Sequence, residues 1–216
     1  MVPITPLRLV PIQRYRHLMS SLVSGVLVAV SVNIIYDLGY NYEMIPLLAV
    51  AYVIGYFINA LSSLLVSVYN KLIGGKPSDV LLTPITGQDY TGYSKVRFYE
   101  FQKVIDELKE ELNDIEASSD KMFSRAMAYS NDDEKTRVPD FNAQYAFSRV
   151  ILTTSLVQSV LWLPHYYDIC WMWLLAFGVV YLSFRRFKER AYYYAREVLI
   201  VYLRKKREEN VKYSVL

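Results

Sequence analysis

The stretch MIPLLAVAYVIGYFINALSSLLVSVY at residues 44–69 contains no charged side chain from one end to the other. Roughly 20 apolar residues of α-helix are enough to cross a hydrocarbon core about 30 Å thick. The stretch exceeds that length. It therefore predicts a helix that spans a membrane, and this prediction decides the class of fold.

Three further apolar blocks complete the pattern, at residues 18–38, 146–163 and 169–184. The chain of 216 residues is 53% hydrophobic, and its charged residues, 21% of the total, cluster outside these blocks. The first block is longer than the core of a cleaved signal peptide and is followed at once by another span. We therefore predict an all-α, polytopic membrane protein with four transmembrane helices, paired as hairpins at 18–69 and 146–184.

Basic residues predict the orientation of these spans, because Lys and Arg concentrate on the cytoplasmic side of a membrane. They occur in the flank 1–17, in the segment 70–145 and, ten times, in the tail 185–216. The two short connections at 39–43 and 164–168 contain none. Both termini and the 70–145 segment are therefore predicted to be cytoplasmic. The short connections and small size favour a bacterial inner membrane.

Two amphipathic helices are predicted on the cytoplasmic side. Segment 98–126 has apolar or small residues at alternating spacings of three and four, which predicts one amphipathic or coiled-coil helix. The tail repeats this spacing, and it is basic where residues 100–120 are mainly acidic. We expect the two helices to pack together, within one chain or between copies, as a cytoplasmic helical cap. The predicted interface residues are Phe98, Phe101, Ile105, Leu108, Leu112, Ile115, Phe187, Tyr194 and Val198.

Small and polar residues recur at every fourth position in the first two spans, a pattern that allows helices to approach closely in lipid. Measured along antiparallel helices, Asn59 is expected near the depth of Gly25 and Ala29, and Asn33 near the depth of Gly55. We interpret the pattern as a hairpin held by two amides; the alternative is a polar path between copies. The residues predicted for this packing face or path are Ser21, Gly25, Ala29, Asn33, Gly55, Asn59, Ser63, Gln158 and Arg149.

The third span is more polar than the others. Its Thr, Ser and Gln residues at 153–159 spread around the helix, so we expect protein rather than lipid around them. Arg149 falls about one turn inside the predicted cytoplasmic edge. We expect it to reach lipid headgroups or to pair with an acidic group of the cap. A gating or anion-binding role is the alternative.

The sequence contains few residues in patterns that bind metals or catalyse reactions. His17 and His165 have no Cys, Asp or Glu at metal-binding spacing, Cys170 is the only cysteine, and no nucleophile or phosphate-loop motif is present. We therefore predict no metal, no cofactor and no enzymatic activity. Tyrosines 192–194 could stack on nucleobases, but a protein interface is favoured over nucleic acid. The residues predicted to contact lipid or an anion are Arg185, Arg186, Lys188, Arg190, Arg204, Lys205, Lys206 and Arg207.

These observations predict a non-enzymatic, homo-oligomeric integral membrane protein that anchors or senses a cytoplasmic protein partner. One alternative is an oligomeric ion channel or membrane-disrupting effector, a class that includes components of bacterial phage defence. The other is a sensor that binds a nucleotide or anion through the basic tail.

Overall fold

The computed structural model describes residues 13–39, 44–83, 101–131 and 136–214, and all regular structure within them is helical. The all-α class is confirmed for these residues. Phe98 and most of the flank 1–17 lie outside them. The helices are α1 (Gln13–Tyr36), α2 (Met44–Leu64), α3 (Val66–Leu72), α4 (Pro77–Leu82), α5 (Phe101–Leu112), α6 (Ser119–Asn131), α7 (Val138–His165) and α8 (Cys170–Ser214).

Three of these helices are long and apolar enough to cross a membrane: α1 over Met19–Tyr36, α2 over Pro46–Leu64, and α7. Four spans are not confirmed. The apolar part of α8 runs only from Cys170 to Phe184, because Arg185 and Arg186 follow it. At 1.5 Å per residue this part is about 22 Å long, which is shorter than a hydrocarbon core of about 30 Å.

The chain forms two compact units. Unit 1 comprises the described residues of Met1–Ser63 and Arg149–Tyr181, and unit 2 comprises those of Leu64–Ser148 and Leu182–Leu216. The helices α7 and α8 contribute residues to both units.

Small residues form the interior of unit 1. A methyl group placed on Gly25 would overlap the carbonyl oxygen of Ala51, and one placed on Gly55 would overlap the carbonyl oxygen of Ser21. The backbones of α1 and α2 are therefore in direct contact, as small residues permit in lipid-like surroundings. A short apolar core of Val28, Ile58 and Val150 adjoins this contact. The other buried small residues of α1 and α2 are Ser20, Ser24, Ser31 and Ser62.

The depth predicted for the two amides is wrong. Gly25 lies opposite Ala51 and Gly55, so the antiparallel register differs from the predicted one by about six to ten residues, or about two to three helical turns. Asn59 therefore does not lie at the depth of Gly25, nor Asn33 at that of Gly55. The physical reason is that closest approach occurs where both helices lack a Cβ, and this outweighs pairing an amide with a glycine.

The outer surface of unit 1 consists of large apolar side chains. Phe57 on α2 is 65% exposed, Val160 on α7 is 73% exposed, and Leu174 on α8 is 73% exposed. Small hydroxyl residues inside and large apolar residues outside are the reverse of the usual arrangement in a water-soluble domain. The same arrangement is expected of helices that are surrounded by lipid.

The second apolar block is interrupted rather than continuous. It forms α2 and α3, separated by Leu65. The hydroxyls of Ser62 and Ser63 both donate to the carbonyl of Asn59, at 2.7 and 3.2 Å. Such bonds compete with the helical amide for a carbonyl and often bend a helix, and these two lie in the last turn before the break after Leu64.

The amphipathic segment 98–126 is not one helix, so that prediction is wrong. Asn113 has a φ of 49°, its amide donates to the Glu110 carbonyl at 3.1 Å, and the Asp114 amide donates to the Lys109 carbonyl at 3.2 Å. These are the two bonds of a Schellman motif, which ends α5. The Ser118 hydroxyl then accepts from the Lys121 amide at 3.4 Å and caps α6.

Gly25 provides a direct test of the packing in unit 1. We expect Gly25→Ala to destabilise the protein by about 1–3 kcal/mol, since the obstacle is backbone that cannot move aside. Gly178→Ala is the matched control: a methyl group there meets no atom within 4 Å, so better helix propensity should leave stability equal or up to about 1 kcal/mol higher. Thermal unfolding of detergent-purified protein measures both. Equal behaviour of the two variants would contradict the backbone contact.

Candidate functional site

The basic part of α8 is the central element of unit 2. Phe187, Val198 and Leu199 on this helix are completely buried, and Tyr202 is as well. These four residues lie within about a third of the helix circumference, and the buried Tyr192, Val201 and Leu203 widen the arc to about half. The other buried apolar side chains of unit 2 include Leu81 and Leu82 from α4, Phe101, Val104, Ile105 and Leu108 from α5, and Met122 and Ala126 from α6.

An aromatic cluster joins α8 to residues of three other helices in unit 2, α3, α6 and α7. The Tyr194 ring is stacked on the Tyr145 ring, with 5.8 Å between centroids and 5° between planes, and it meets Phe123 edge-on at 6.3 Å. Phe187 contacts the rings of Tyr69 at 5.5 Å and Tyr145 at 5.7 Å. Such contacts add about 0.5–1.5 kcal/mol each beyond area burial. Tyr194 therefore packs against aromatic rings of its own chain.

A single carboxylate connects α5, α6 and α8. Glu111 accepts hydrogen bonds from Arg125 Nε at 3.0 Å, Arg125 Nη2 at 2.5 Å, and the Tyr202 hydroxyl at 2.6 Å. Lys206 Nζ lies 3.6 Å from the same carboxylate. The Glu111 side chain is 15% exposed. It therefore has charged or polar donors from two other helices in a largely buried position.

The surroundings of Glu111 favour its ionised form. Burial opposes ionisation, but the hydrogen bonds from Tyr202 and Arg125 and the charge of Lys206 outweigh it, and the pKa of Glu111 lies below its ordinary value. Burial, followed by the hydrogen bond to Glu111, raises the pKa of Tyr202. The tyrosine is therefore a hydroxyl donor and the glutamate an anionic acceptor at neutral pH.

Lys205 and Lys206 make contacts inside unit 2, whereas the sequence predicts that they contact lipid or an anion. Lys205 donates to the Tyr129 carbonyl at 3.0 Å, and Lys206 pairs with Glu111 and lies 5.3 Å from the centroid of the Tyr129 ring. The acidic and basic helices therefore meet within one chain.

Other basic residues predicted to contact lipid or an anion lie nearer the surface. Arg185, Arg186, Arg204 and Arg207 are exposed, whereas Lys188 and Arg190 are half-buried. Arg186 and Arg204 have carboxylate neighbours on the same helix, at 3.2 Å from Glu189 and 3.9 Å from Glu208.

The predicted interface of α5 is divided by the helix stop. Phe101, Ile105 and Leu108 are buried in the core and Leu112 is half-buried. Ile115 is 84% exposed, because it lies in the turn after α5, so its predicted place in the helix packing is wrong. It borders an open depression of about 430 Å³ lined by Asp106, Lys109, Glu110, Asn113 and Asp114.

Polar groups predicted for the spans have partners close by. Trp162 Nε1 donates to Gln158 Oε1 at 3.1 Å. The hydroxyls of Thr154, Ser155 and Ser159 donate to helix carbonyls four residues earlier, at 2.8–2.9 Å. Of the remaining predicted path residues, Ser21 and Gly55 are buried, while Ala29, Asn33 and Asn59 are half-buried.

Arg149 and Ser63 are brought together across α7 and α2. Arg149 Nη2 donates to the Ser63 hydroxyl at 3.1 Å, while Arg149 Nε is buried and has no hydrogen-bond partner in the part of the chain that the structure describes. The spacing of the sequence did not predict this pair.

The described residues bring no group of three His, Cys, Asp or Glu together for a metal ion. His165 makes an edge-on contact with Tyr166 at 4.8 Å, and Cys170 is exposed. Comparison with protein-family models, with curated proteins and with solved structures finds no match. The Glu111 contacts are not predicted by the sequence, since nothing in the local pattern distinguishes Glu111 from Glu110.

Glu111 should be a major contributor to the stability of unit 2. We expect Glu111→Gln to cost about 1–3 kcal/mol, as charge-assisted hydrogen bonds are lost. Because the folded-state pKa is lowered, the contribution is present above the ordinary range of glutamate, near pH 4, and is lost as the pH falls through the folded-state pKa. Thermal unfolding against pH measures this loss, which Glu111→Gln should reduce. The exposed Glu116→Gln is the control, and equal costs for both would contradict the assignment.

Proposed function

We propose that this protein is a non-enzymatic integral membrane protein whose unit 2 binds a cytoplasmic protein partner, as an anchor or a sensor. The observation that carries the proposal is the contrast between the units. Unit 1 has buried serines and glycines and an exterior of large apolar side chains, whereas unit 2 has an apolar core, and the exposed side chains of its helices α5 and α6 are almost all charged or polar. Lipid suits the first surface and water the second.

The first part of α8 is proposed as the fourth span. Its exposed side chains between Trp171 and Leu182 are almost all apolar, and it belongs to unit 1. A span shorter than the hydrocarbon core is accommodated by local thinning and by flanking cations that reach the headgroups. Arg185 and Arg186 are in position to do so. An even number of spans, together with the basic residues of the tail, supports cytoplasmic termini.

Cys170 allows this topology to be tested, because it is exposed and is the only cysteine of the chain. We expect a membrane-impermeant maleimide to label Cys170 from outside in spheroplasts expressing the full chain. In a Cys170→Ser background, Ser124→Cys on the exposed face of α6 should react only after the membrane is permeabilised. The opposite labelling pattern would contradict the proposed orientation, and labelling of both sites from one side would contradict the crossing of α7, the helix that separates them in the chain.

Ile115 is the proposed centre of the partner surface. It projects from the turn after α5 beside the acidic residues Asp106, Glu110 and Asp114, and the depression there is open. An apolar anchor beside three carboxylates and a single lysine, Lys109, is suited to a partner that presents an apolar residue flanked by Lys or Arg. Leu108, which the heptad spacing groups with Ile115, is completely buried and serves the core instead.

Native mass spectrometry of the intact complex, extracted from its own membrane in mild detergent, tests the partner proposal. We expect a second polypeptide at fixed stoichiometry with the wild-type protein, and its loss with Ile115→Asp. Val211→Asp is the control, since Val211 is also exposed, at 62%, but lies on the α8 tail. A wild-type chain that carries no second polypeptide, or a partner that Ile115→Asp leaves bound, would overturn the proposal. The same spectrum gives the number of copies.

The channel alternative has less support than the anchor. It rests on Asn33, Asn59, Gln158 and Arg149, of which Gln158 accepts a hydrogen bond from Trp162 and Arg149 donates to Ser63. The helices α1 and α2 also touch through their backbones. The anion-sensor alternative loses two of its cations, because Lys205 and Lys206 pair within unit 2.

A further inference from the structure

Arg149 carries a charge into the apolar unit 1 without a carboxylate to balance it. Its hydrogen bond in the structure runs from Nη2 to the hydroxyl of Ser63, at 3.1 Å. Among the described residues no ion pair includes Arg149, and the described carboxylates of unit 1 belong to Asp37 and Asp168. Both lie in the connections at the other end of the spans, so neither can neutralise it.

The guanidinium of Arg149 has more hydrogen-bond donors than the bond to Ser63 uses. It carries five N–H groups, and its Nε is buried without a hydrogen-bond partner in the described part of the chain. The Ser63 hydroxyl accepts from Nη2 and itself donates to the Asn59 carbonyl at 3.2 Å. Ser63 therefore positions the arginine. Turning outward about its long side chain, Arg149 can present Nε and Nη together, which is the geometry that matches two oxygens of a phosphate.

The pair lies at one end of the spans. Ser63 is close to the last residue of α2, which begins its apolar window at Pro46, and Arg149 is 16 residues before His165 at the end of α7. At 1.5 Å per residue both are about 25 Å from the opposite end. Given a hydrocarbon core of about 30 Å, the guanidinium is near the depth of the phosphates in one leaflet. Ser63 is exposed, and its neighbour Leu61 on α2 is 39% exposed and apolar.

We propose that Arg149, held by Ser63, is a binding site for the phosphate group of an anionic phospholipid in the leaflet at the Ser63 end of α2. The ligand chemistry is a phosphate that accepts two hydrogen bonds from the guanidinium, and the acyl chains lie against the apolar surface of α2 and α7. The inference rests on the proposed membrane insertion of unit 1. It does not depend on the partner of unit 2.

The test is a titration of the detergent-purified full chain, followed by native mass spectrometry, with phosphatidylglycerol, phosphatidylcholine and inorganic phosphate as separate probes. We expect one molecule of phosphatidylglycerol to bind more tightly than the others. Arg149→Gln should weaken this binding by about tenfold or more, the effect of losing hydrogen bonds to a charged group. Arg149→Lys should restore part of it, since a lysine keeps the charge without the bidentate geometry.

Ser63→Ala gives a second measurement that does not alter the charge. It should weaken phosphatidylglycerol binding a few-fold by releasing the arginine, and it keeps the proposal testable if Arg149→Gln fails to fold. Lys103→Gln, which removes an exposed cation on α5, is the matched control and should leave the specific binding unchanged. Equal weakening by Lys103→Gln would indicate general charge attraction and overturn the site.

The probes also distinguish the sources of phosphate. Tight binding of inorganic phosphate that Arg149→Gln removes would support the phosphate site but assign it to a soluble ion and overturn the lipid assignment. Binding of phosphatidylglycerol that survives both Arg149→Gln and Ser63→Ala would overturn the site altogether. Labelling of Cys170 from outside, together with that result, would show that this inference fails while the proposed membrane topology stands.

Discussion

The contact between the backbones of α1 and α2 is the constraint on which unit 1 depends. In lipid, the hydrophobic effect does not drive apolar helices together, so close packing and backbone contacts have to hold them together. Gly25 and Gly55 allow that contact, and no other residue could occupy either position without moving a carbonyl. The register that follows brings Val28 and Ile58 against Val150 of α7. The large side chains are thereby left on the outside.

Unit 2 contains short helices, and the backbone groups at their ends need hydrogen-bond partners. A Schellman motif at Asn113 and a hydroxyl cap at Ser118 end α5 and begin α6 within a few residues. The turn brings Arg125 back to Glu111, where Tyr202 of α8 meets them both. Apolar burial supplies most of the favourable energy in such a domain, while the carboxylate determines which faces of the three helices meet.

Composition and periodicity predicted the helical class and the small-residue faces, since both depend on local sequence. They did not predict the register of α1 against α2, which depends on shape rather than on length. The regular spacing around Ile115 continued through a helix stop that Asn113 imposes by adopting a positive φ. The pairing of Arg149 with Ser63 joins residues that are far apart in sequence, and no local pattern contains that information.

The helix α8 connects these two kinds of packing in one continuous element. Before Arg185 its exposed residues are chiefly apolar, and after Phe187 its buried residues appear on several faces. Two arginines at the change of environment suit a membrane boundary, because they extend apolar stems while the charges remain among headgroups. Lys205 and Lys206, farther along, have carboxylate and carbonyl partners instead. A basic helix can therefore place some cations at a membrane boundary and others in contacts within the protein. Its net charge alone does not show which cations are available to lipid.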